Sequence, residues 1–201
     1  MEKKIVNVIS LLCILIVTPL LSQNTSEPKP SILFLNIGLK QSFQYAQPNS
    51  PLFADGFAEY LTKENFGIRG SCTQYITDRN EQGLYQNSTG IAFGGVFHQR
   101  FQNPIHDLSV SLLPGVSWVS IQPLTEEQIP SSIIPTLTTG LQYTLLFSRF
   151  CNFYFNVSHY SAWFRGTPKG SINLSDFSVT GGLGFHLFFK NNHFQHKSKN
   201  V

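Results

Sequence analysis

The chain has 201 residues, with 14 Lys and Arg against 11 Asp and Glu, a formal net charge of +3. So mild a balance excludes the dense basic face that nucleic-acid binding requires. Only 12% of the residues are charged, about half the usual share for soluble domains, while Phe alone occurs 18 times, so a soluble globular surface is hard to build from this composition.

Met1-Glu-Lys-Lys is a short basic start, and Ile5 to Leu21 is an apolar run interrupted by Asn7, Ser10 and Pro19. With Ser22-Gln23 following, this is the pattern of an export signal cleaved before Gln23. A retained membrane helix is the competing reading, disfavoured because the polar stretch Gln23 to Pro30 carries no stop-transfer pattern. Leu12 precedes Cys13 where a lipoprotein signal needs a small residue, so lipidation is not expected. The expected organisation is a signal over 1–22, a polar segment over 23–30, one domain over 31–189 and a polar basic tail over 190–201. Removing Glu2, Lys3 and Lys4 takes 14 basic and 11 acidic residues to 12 and 10, a net charge of +2. After Leu21 no apolar run approaches the ~20 residues of a spanning helix.

Period-2 alternation marks eight segments: Ile32–Gln41, Phe53–Leu61, Phe66–Thr77, Thr89–Phe101, Leu108–Ile121, Ile133–Phe147, Cys151–Phe164 and Leu174–Phe189. Polar loops of about ten residues are expected after the odd-numbered segments. They contain Gln47–Pro51, Asp78–Gly83, Thr125–Pro130 and Arg165–Gly170. Short turns follow the even-numbered ones, at Thr62–Asn65, Gln102–His106 and Ser148–Phe150. In the last segment the odd positions Phe177, Val179, Leu183, Phe185, Leu187 and Phe189 are apolar. The even positions Ser178, Thr180, Gly182, Gly184 and His186 are small or polar, so one face is apolar along its length. Such a strand is long enough to cross a bilayer when tilted. The predicted fold is all-β: an eight-stranded antiparallel transmembrane β-barrel of up-and-down topology, with long connections outside and both termini periplasmic. An exported barrel of this kind implies the outer membrane of a Gram-negative bacterium, with outer-membrane lipid and lipopolysaccharide around it. The rival fold, a soluble lipocalin-type barrel, needs charged outward faces, and the faces opposite the apolar ones here are mostly Gly, Ser, Thr, Asn and Gln.

Two aromatic belts follow from this topology. Phe34, Tyr60, Phe66, Phe101, Phe147, Phe150 and Phe188 form the periplasmic one. Tyr45, Phe53, Tyr75, Trp118, Trp163 and Phe164 form the outer one. Asp55 and Glu59 are turned inward on cost grounds, since a charge on the lipid face is unfavourable. Lys40, Asp55, Glu59, Arg69, His98 and Arg100 then share the lumen as an interior salt-bridge network, with a proton or ion path as the alternative. Cys72 and Cys151 are expected on non-adjacent strands facing lipid, unbridged. No spacing resembles a metal site, and no cofactor is expected.

Three stretches carry a family resemblance: Leu21-Ser-Gln-Asn24, the hairpin Gly56-Phe-Ala-Glu-Tyr-Leu-Thr-Lys-Glu-Asn-Phe-Gly-Ile-Arg-Gly70, and the closing strand. On these the chain resembles the small outer-membrane β-barrel proteins of the Bacteroidota, similar in architecture to OmpA- and OmpX-like barrels. The resemblance covers nearly the whole mature chain. It implies a non-enzymatic barrel with a structural or surface-interaction role through its four outer loops. An accessory part in a secretion or gliding apparatus is its second implication. Thr180, Gly182, Phe185 and Leu187 also look like the closing-strand signal read by barrel-assembly machinery.

His159-Tyr160-Ser161 puts His159 and Ser161 on one, lipid-facing side of a strand, the arrangement of a nucleophile and its base. It looks like the His-x-Ser core of outer-membrane lipid A 3-O-deacylases, which implies a lipid A acyl-ester hydrolase. Ala162 departs from that family, which carries Asn there to stabilise the oxyanion. For the Glu that orients the His, the next strand offers only Asp176. The competing reading places His159, Tyr160 and Trp163 in the outer interfacial belt. Gly181-Gly-Leu-Gly184 lies within a strand, so it cannot open a helix as a phosphate loop does. It is expected to relieve crowding in the barrel wall.

Overall fold

The computed structural model describes residues 31–44, 50–61, 65–77, 85–101, 105–121, 131–148, 150–167 and 170–189. The expected signal, polar segment, basic tail and most of the outer loops lie outside the described residues. The strands are β1 (Ser31–Gln44), β2 (Leu52–Leu61), β3 (Phe66–Thr77), β4 (Tyr85–Arg100), β5 (His106–Ile121), β6 (Ser132–Leu146), β7 (Cys151–Thr167), β8 (Gly170–Asn173) and β9 (Asp176–Phe189). Each barrel strand pairs antiparallel with its neighbours in the order β6-β5-β4-β3-β2-β1-β9-β7, and β6 pairs with β7 to close the ring. The result is an eight-stranded up-and-down barrel without a free sheet edge.

The eighth predicted strand, Leu174–Phe189, begins two residues later as β9, and the short extra strand β8 precedes it. β8 pairs with the outer end of β7, while β9 crosses the barrel between β7 and β1. Between them Leu174 turns its side chain fully inside, its N–H donating to the Ala162 carbonyl (3.0 Å), and the Ser175 N–H donates to Asn173 Oδ1 (2.9 Å). The expected loop Arg165–Gly170 is therefore corrected: β7 continues to Thr167 and β8 begins at Gly170, a β-ribbon beyond the closed wall. β4 likewise begins at Tyr85, four residues before the expected Thr89.

A second irregularity lies in the β4–β5 seam, whose register runs from Ala92↔Gly115 to Gly95↔Leu112 and skips Phe93 and Gly94. Pro114 has no N–H to give to the ladder there. Gly94 lets the backbones close in, because a Cβ on it would reach the Leu113 Cα at 3.0 Å.

The burial pattern is that of an inside-out protein. Leu35, Ile37 (70% exposed), Leu39, Phe93, Leu112, Ile133 (72%), Leu141, Phe155, Leu183 and Phe185 look outward. Asn36, Lys40, Glu59, Arg69, His98, Ser109, Ser111, Gln142, Thr144 and Asn152 are buried inside. A soluble barrel would invert this arrangement, and a wall of Leu, Ile and Phe side chains in water would aggregate. In hydrocarbon it is the favoured surface, and closure of the ring satisfies the backbone polar groups that lipid cannot. Cys72 is exposed on β3 and Cys151 half-buried on β7, and neither is bridged.

Three expected belt residues are corrected. Phe34, Phe53 and Phe164 are buried inside the barrel rather than facing the interface. Parity explains each: Phe34 shares a strand face with Asn36 and Lys40, Phe53 with Asp55 and Glu59, and Phe164 with Tyr160 and Ala162. Tyr75 also packs against the interior cluster. Tyr60, Phe66, Phe101, Phe147 and Phe150 remain exposed at the end where β1 begins and β9 finishes, and Trp118 and Trp163 at the other.

Candidate functional site

The lumen has three levels, set by which inward positions fall at which height. At the end bearing the long connections, Phe53, Tyr85, Val119, Ile121, Ile134, Ala162, Phe164 and Leu174 form an apolar cluster. This upper apolar plug was not expected from the sequence, which predicts a salt-bridge network among small polar residues in the lumen.

Below it, Lys40 is buried with its Nζ 5.6 Å from the Phe53 ring centre and 5.3 Å from that of Tyr160. Asp55 lies at the same level, and with Lys40, Ser71, Thr136, Asn156 and Thr180 it borders a polar cavity of about 50 Å³. A water needs roughly 10–15 Å³ on this measure, so the space suits a few waters. Asn156 Oδ1 and Thr180 Oγ1, both buried beside it, need such partners. Among the described residues neither Lys40 nor Asp55 forms an ion pair within 4 Å.

The third level is ionic. Glu59 on β2 sits opposite Arg69 on β3 in the register. Arg69 donates to Glu59 Oε2 from Nε (2.7 Å) and Nη2 (2.5 Å). The other Glu59 oxygen bonds His98 Nε2, and His98 Nδ1 lies 2.6 Å from Asp107 Oδ2. Both ring nitrogens of His98 thus face carboxylates, which a doubly protonated ring satisfies with two donated bonds. Glu59 and His98 are each 1% exposed and Arg69 3%. Aromatic rings insulate the group: Arg69 lies over Phe57 (4.1 Å) and Phe34 stacks on His98 (6.4 Å, 8°). Ile32, Phe34, Leu61 and Leu146 close the floor.

Of the six sequence-predicted interior residues, the structure joins Glu59, Arg69 and His98 directly and leaves Lys40 and Asp55 one level away. The Arg100 side chain lies outside the described residues. Asp107 completes the ionic group and was missed, because the fifth strand was started at Leu108. Extending the alternation Ser111, Ser109 by one step reaches Asp107, which was the available signal.

His159 and Ser161 both point outward from β7, with Ser161 Oγ 3.3 Å from His159 Nδ1, longer than a tight hydroxyl hydrogen bond. In the register His159 lies between Thr139 and Phe177, and Ser161 beside Leu137. Asp176, the carboxylate offered by the next strand, lies on the opposite face of the wall from outward-pointing His159. It pairs with inward-facing Tyr160 and is buried inside. Ala162 is also buried inside, and no side-chain donor for an oxyanion lies beside Ser161 in the register. The outward pair is present, while Ala162, where the resembled deacylases carry Asn, is turned into the lumen.

No protein-family model and no curated protein matches this sequence. Solved structures do match its fold. The N-terminal β-barrel domain of Pseudomonas aeruginosa OprF is 14% identical, with 80% of this chain and all of that one covered and a TM-score of 0.55. The outer membrane protein OprG from Pseudomonas aeruginosa is 9% identical, covering 79% of this chain and 97% of that one, TM-score 0.56. Neisserial surface protein A is 8% identical, covering 82% and 100%, TM-score 0.53. These likenesses and the outward apolar wall define the class: a small eight-stranded transmembrane β-barrel with the fold of outer-membrane proteins.

Proposed function

We propose that this chain is a non-enzymatic outer-membrane β-barrel of a Gram-negative bacterium, acting as a structural element or through contacts made by its four outer connections. One observation carries the reading: the described lumen is filled at both ends, by the apolar cluster above and the ionic group and apolar floor below. A barrel so filled is built for stability, which leaves its outer end as the surface for contact. The export signal over 1–22, the Bacteroidota-type resemblance and use of Thr180, Gly182, Phe185 and Leu187 by assembly machinery belong to this reading. A part in a secretion or gliding apparatus is a narrower form of it.

The folded protein, extracted from outer membranes, should migrate differently on a gel before and after boiling. A single position, with the protein in the soluble fraction, would overturn the assignment. The hydrolase alternative, with Ser161 attacking an acyl ester and His159 taking its proton, has a separate test. Lipid A from cells expressing the wild-type chain and the Ser161→Ala variant should give identical mass spectra. Loss of one acyl chain in the wild type only would make the chain an enzyme.

A further inference from the structure

The outer end of the wall is not uniform. At this height Phe43, Ile133, Trp163 and Phe177 present apolar side chains on β1, β6, β7 and β9. On β3–β5 the outward residues are mainly polar, Gln74, Gln86, Asn87, Thr89 and Ser120, with Ile76 and Trp118 the large apolar side chains among them. A bulge makes the difference: the β4–β5 register shifts between Tyr85↔Ile121 and Asn87↔Ser120. Tyr85 and Ser88 are buried, while Gln86 and Asn87, consecutive in sequence, are both exposed. Regular alternation would have sent one of these amides into the lumen, and re-aiming a side chain is a recognised use of bulges.

We propose that this face binds a neutral sugar ring, as carried in the headgroup of a membrane glycolipid. Gln86, Asn87 and Thr89 of β4, Trp118 and Ser120 of β5, and Ser131 line a concavity of about 360 Å³. Trp118, 62% exposed, offers a flat indole face and an N–H. The surrounding amides are held in place. Gln74 Nε2 donates to Asn87 Oδ1 (2.9 Å), Thr89 Oγ1 donates to Gln74 Oε1 (2.5 Å), and Ser120 Oγ donates to Gln86 Oε1 (3.0 Å). With these oxygens engaged, the Gln86 and Asn87 amide nitrogens remain to donate, having no acceptor among the described residues.

A ring of C–H bonds and hydroxyls matches this set: its apolar face stacks on the indole and its hydroxyl oxygens accept from the amides. No charged side chain among the described residues lines the concavity, so the recognition chemistry is that of an uncharged ligand. Its height selects the source. The patch adjoins the apolar belt, where exposed amides facing hydrocarbon would be costly, and a headgroup sugar anchored in the same leaflet meets them without leaving the membrane.

The inference rests on the membrane-barrel reading, and its test separates the two. The chain has two tryptophans, so the Trp163→Phe variant leaves Trp118 as the sole indole reporter. That variant is placed in phosphatidylcholine nanodiscs with increasing digalactosyl diacylglycerol, and Trp118 emission is followed. A saturable change is expected. Adding Gln86→Ala and Asn87→Ala should move its midpoint about tenfold higher, with the heat-dependent gel shift retained as proof of fold. No glycolipid-dependent change, or an unaltered midpoint in the triple variant, would overturn the site. Equal response to free digalactosylglycerol added to plain nanodiscs would overturn the membrane source in favour of a soluble glycan. A protein that shows no gel shift would sink the membrane-barrel reading itself, whereas a shifted but unresponsive barrel sinks this site alone.

Discussion

Glu59→Ala should destabilise the barrel by about 3–5 kcal/mol, the cost of breaking a buried ion pair by deleting one partner. Glu59 is the hub of the ionic group, with one oxygen taken by both Arg69 donors and the other by His98. Removing it strands the Arg69 guanidinium over Phe57 and leaves His98 with Asp107 alone. Neither cation can turn to water, since both are nearly fully buried and the floor of Ile32, Phe34, Leu61 and Leu146 lies beneath. The measurement is reversible urea unfolding in detergent micelles, following the gel shift of the folded form. An unchanged midpoint would show that the group adds no net stability.

The pair of variants Glu59→Gln and Arg69→Met sharpens the test. Glu59→Gln keeps shape and one acceptor but removes the charge, so most of the loss should persist. The double variant Glu59→Gln/Arg69→Met removes both charges of the Glu59–Arg69 pair, and its loss should be smaller than the sum of the single losses. That non-additivity measures the coupling directly. Additive losses would mean that Phe57 and Phe34, through ordinary packing, do the stabilising instead.

How much of this was legible in the sequence differs by element. The wall faces of β1, β6 and β7 follow from period-2 alternation, because the registers of β1 and β6, and of β7 as far as Phe164, run without a shift. The upper plug did not, since an aromatic residue near a strand end suits an interfacial belt and a lumen equally. Only parity separates the two, and for Phe53 parity was already implied once Asp55 and Glu59 were turned inward. Asp107 was lost to a strand boundary placed two residues late. The bulge at Gln86 and the break at Leu174–Ser175 leave no periodic trace, because each is a departure from the period being read. The outward aim of His159 and Ser161 was legible, as was the inward parity of Asp176 with Ser178 and Thr180, whereas the height of Asp176 beside Tyr160 depended on a register that sequence alone does not set.

The second large effect is expected at the closing seam. β1 and β9, first and last in the barrel, pair from Ser31↔Phe189 to Gln44↔Asp176, with Gly38 facing Gly182. A Cβ on Gly182 would meet the Ile37 carbonyl oxygen, the Tyr154 ring at 2.6 Å and the Gly38 Cα at 2.7 Å. Two of these three are backbone of the partner strand, and the third belongs to a fully buried ring packed edge-on to Phe57 (5.2 Å). None can give way without spreading the seam or expelling Tyr154 from the lumen. Overpacking of this kind costs about 1–3 kcal/mol and sometimes more, and here it falls on the pairing that makes the ring closed. Gly182→Val should therefore abolish the folded gel band when the purified chain is refolded in detergent micelles, where no assembly machinery is present. Gly181→Val is the control at the adjacent position, since a Cβ there meets nothing within 4 Å, and it should refold. If Gly182→Val refolds normally in micelles yet fails to assemble in cells, the glycine serves recognition of the closing strand and not its packing. Failure in both settings, with Gly181→Val intact, places its role in the close approach of β9 to β1.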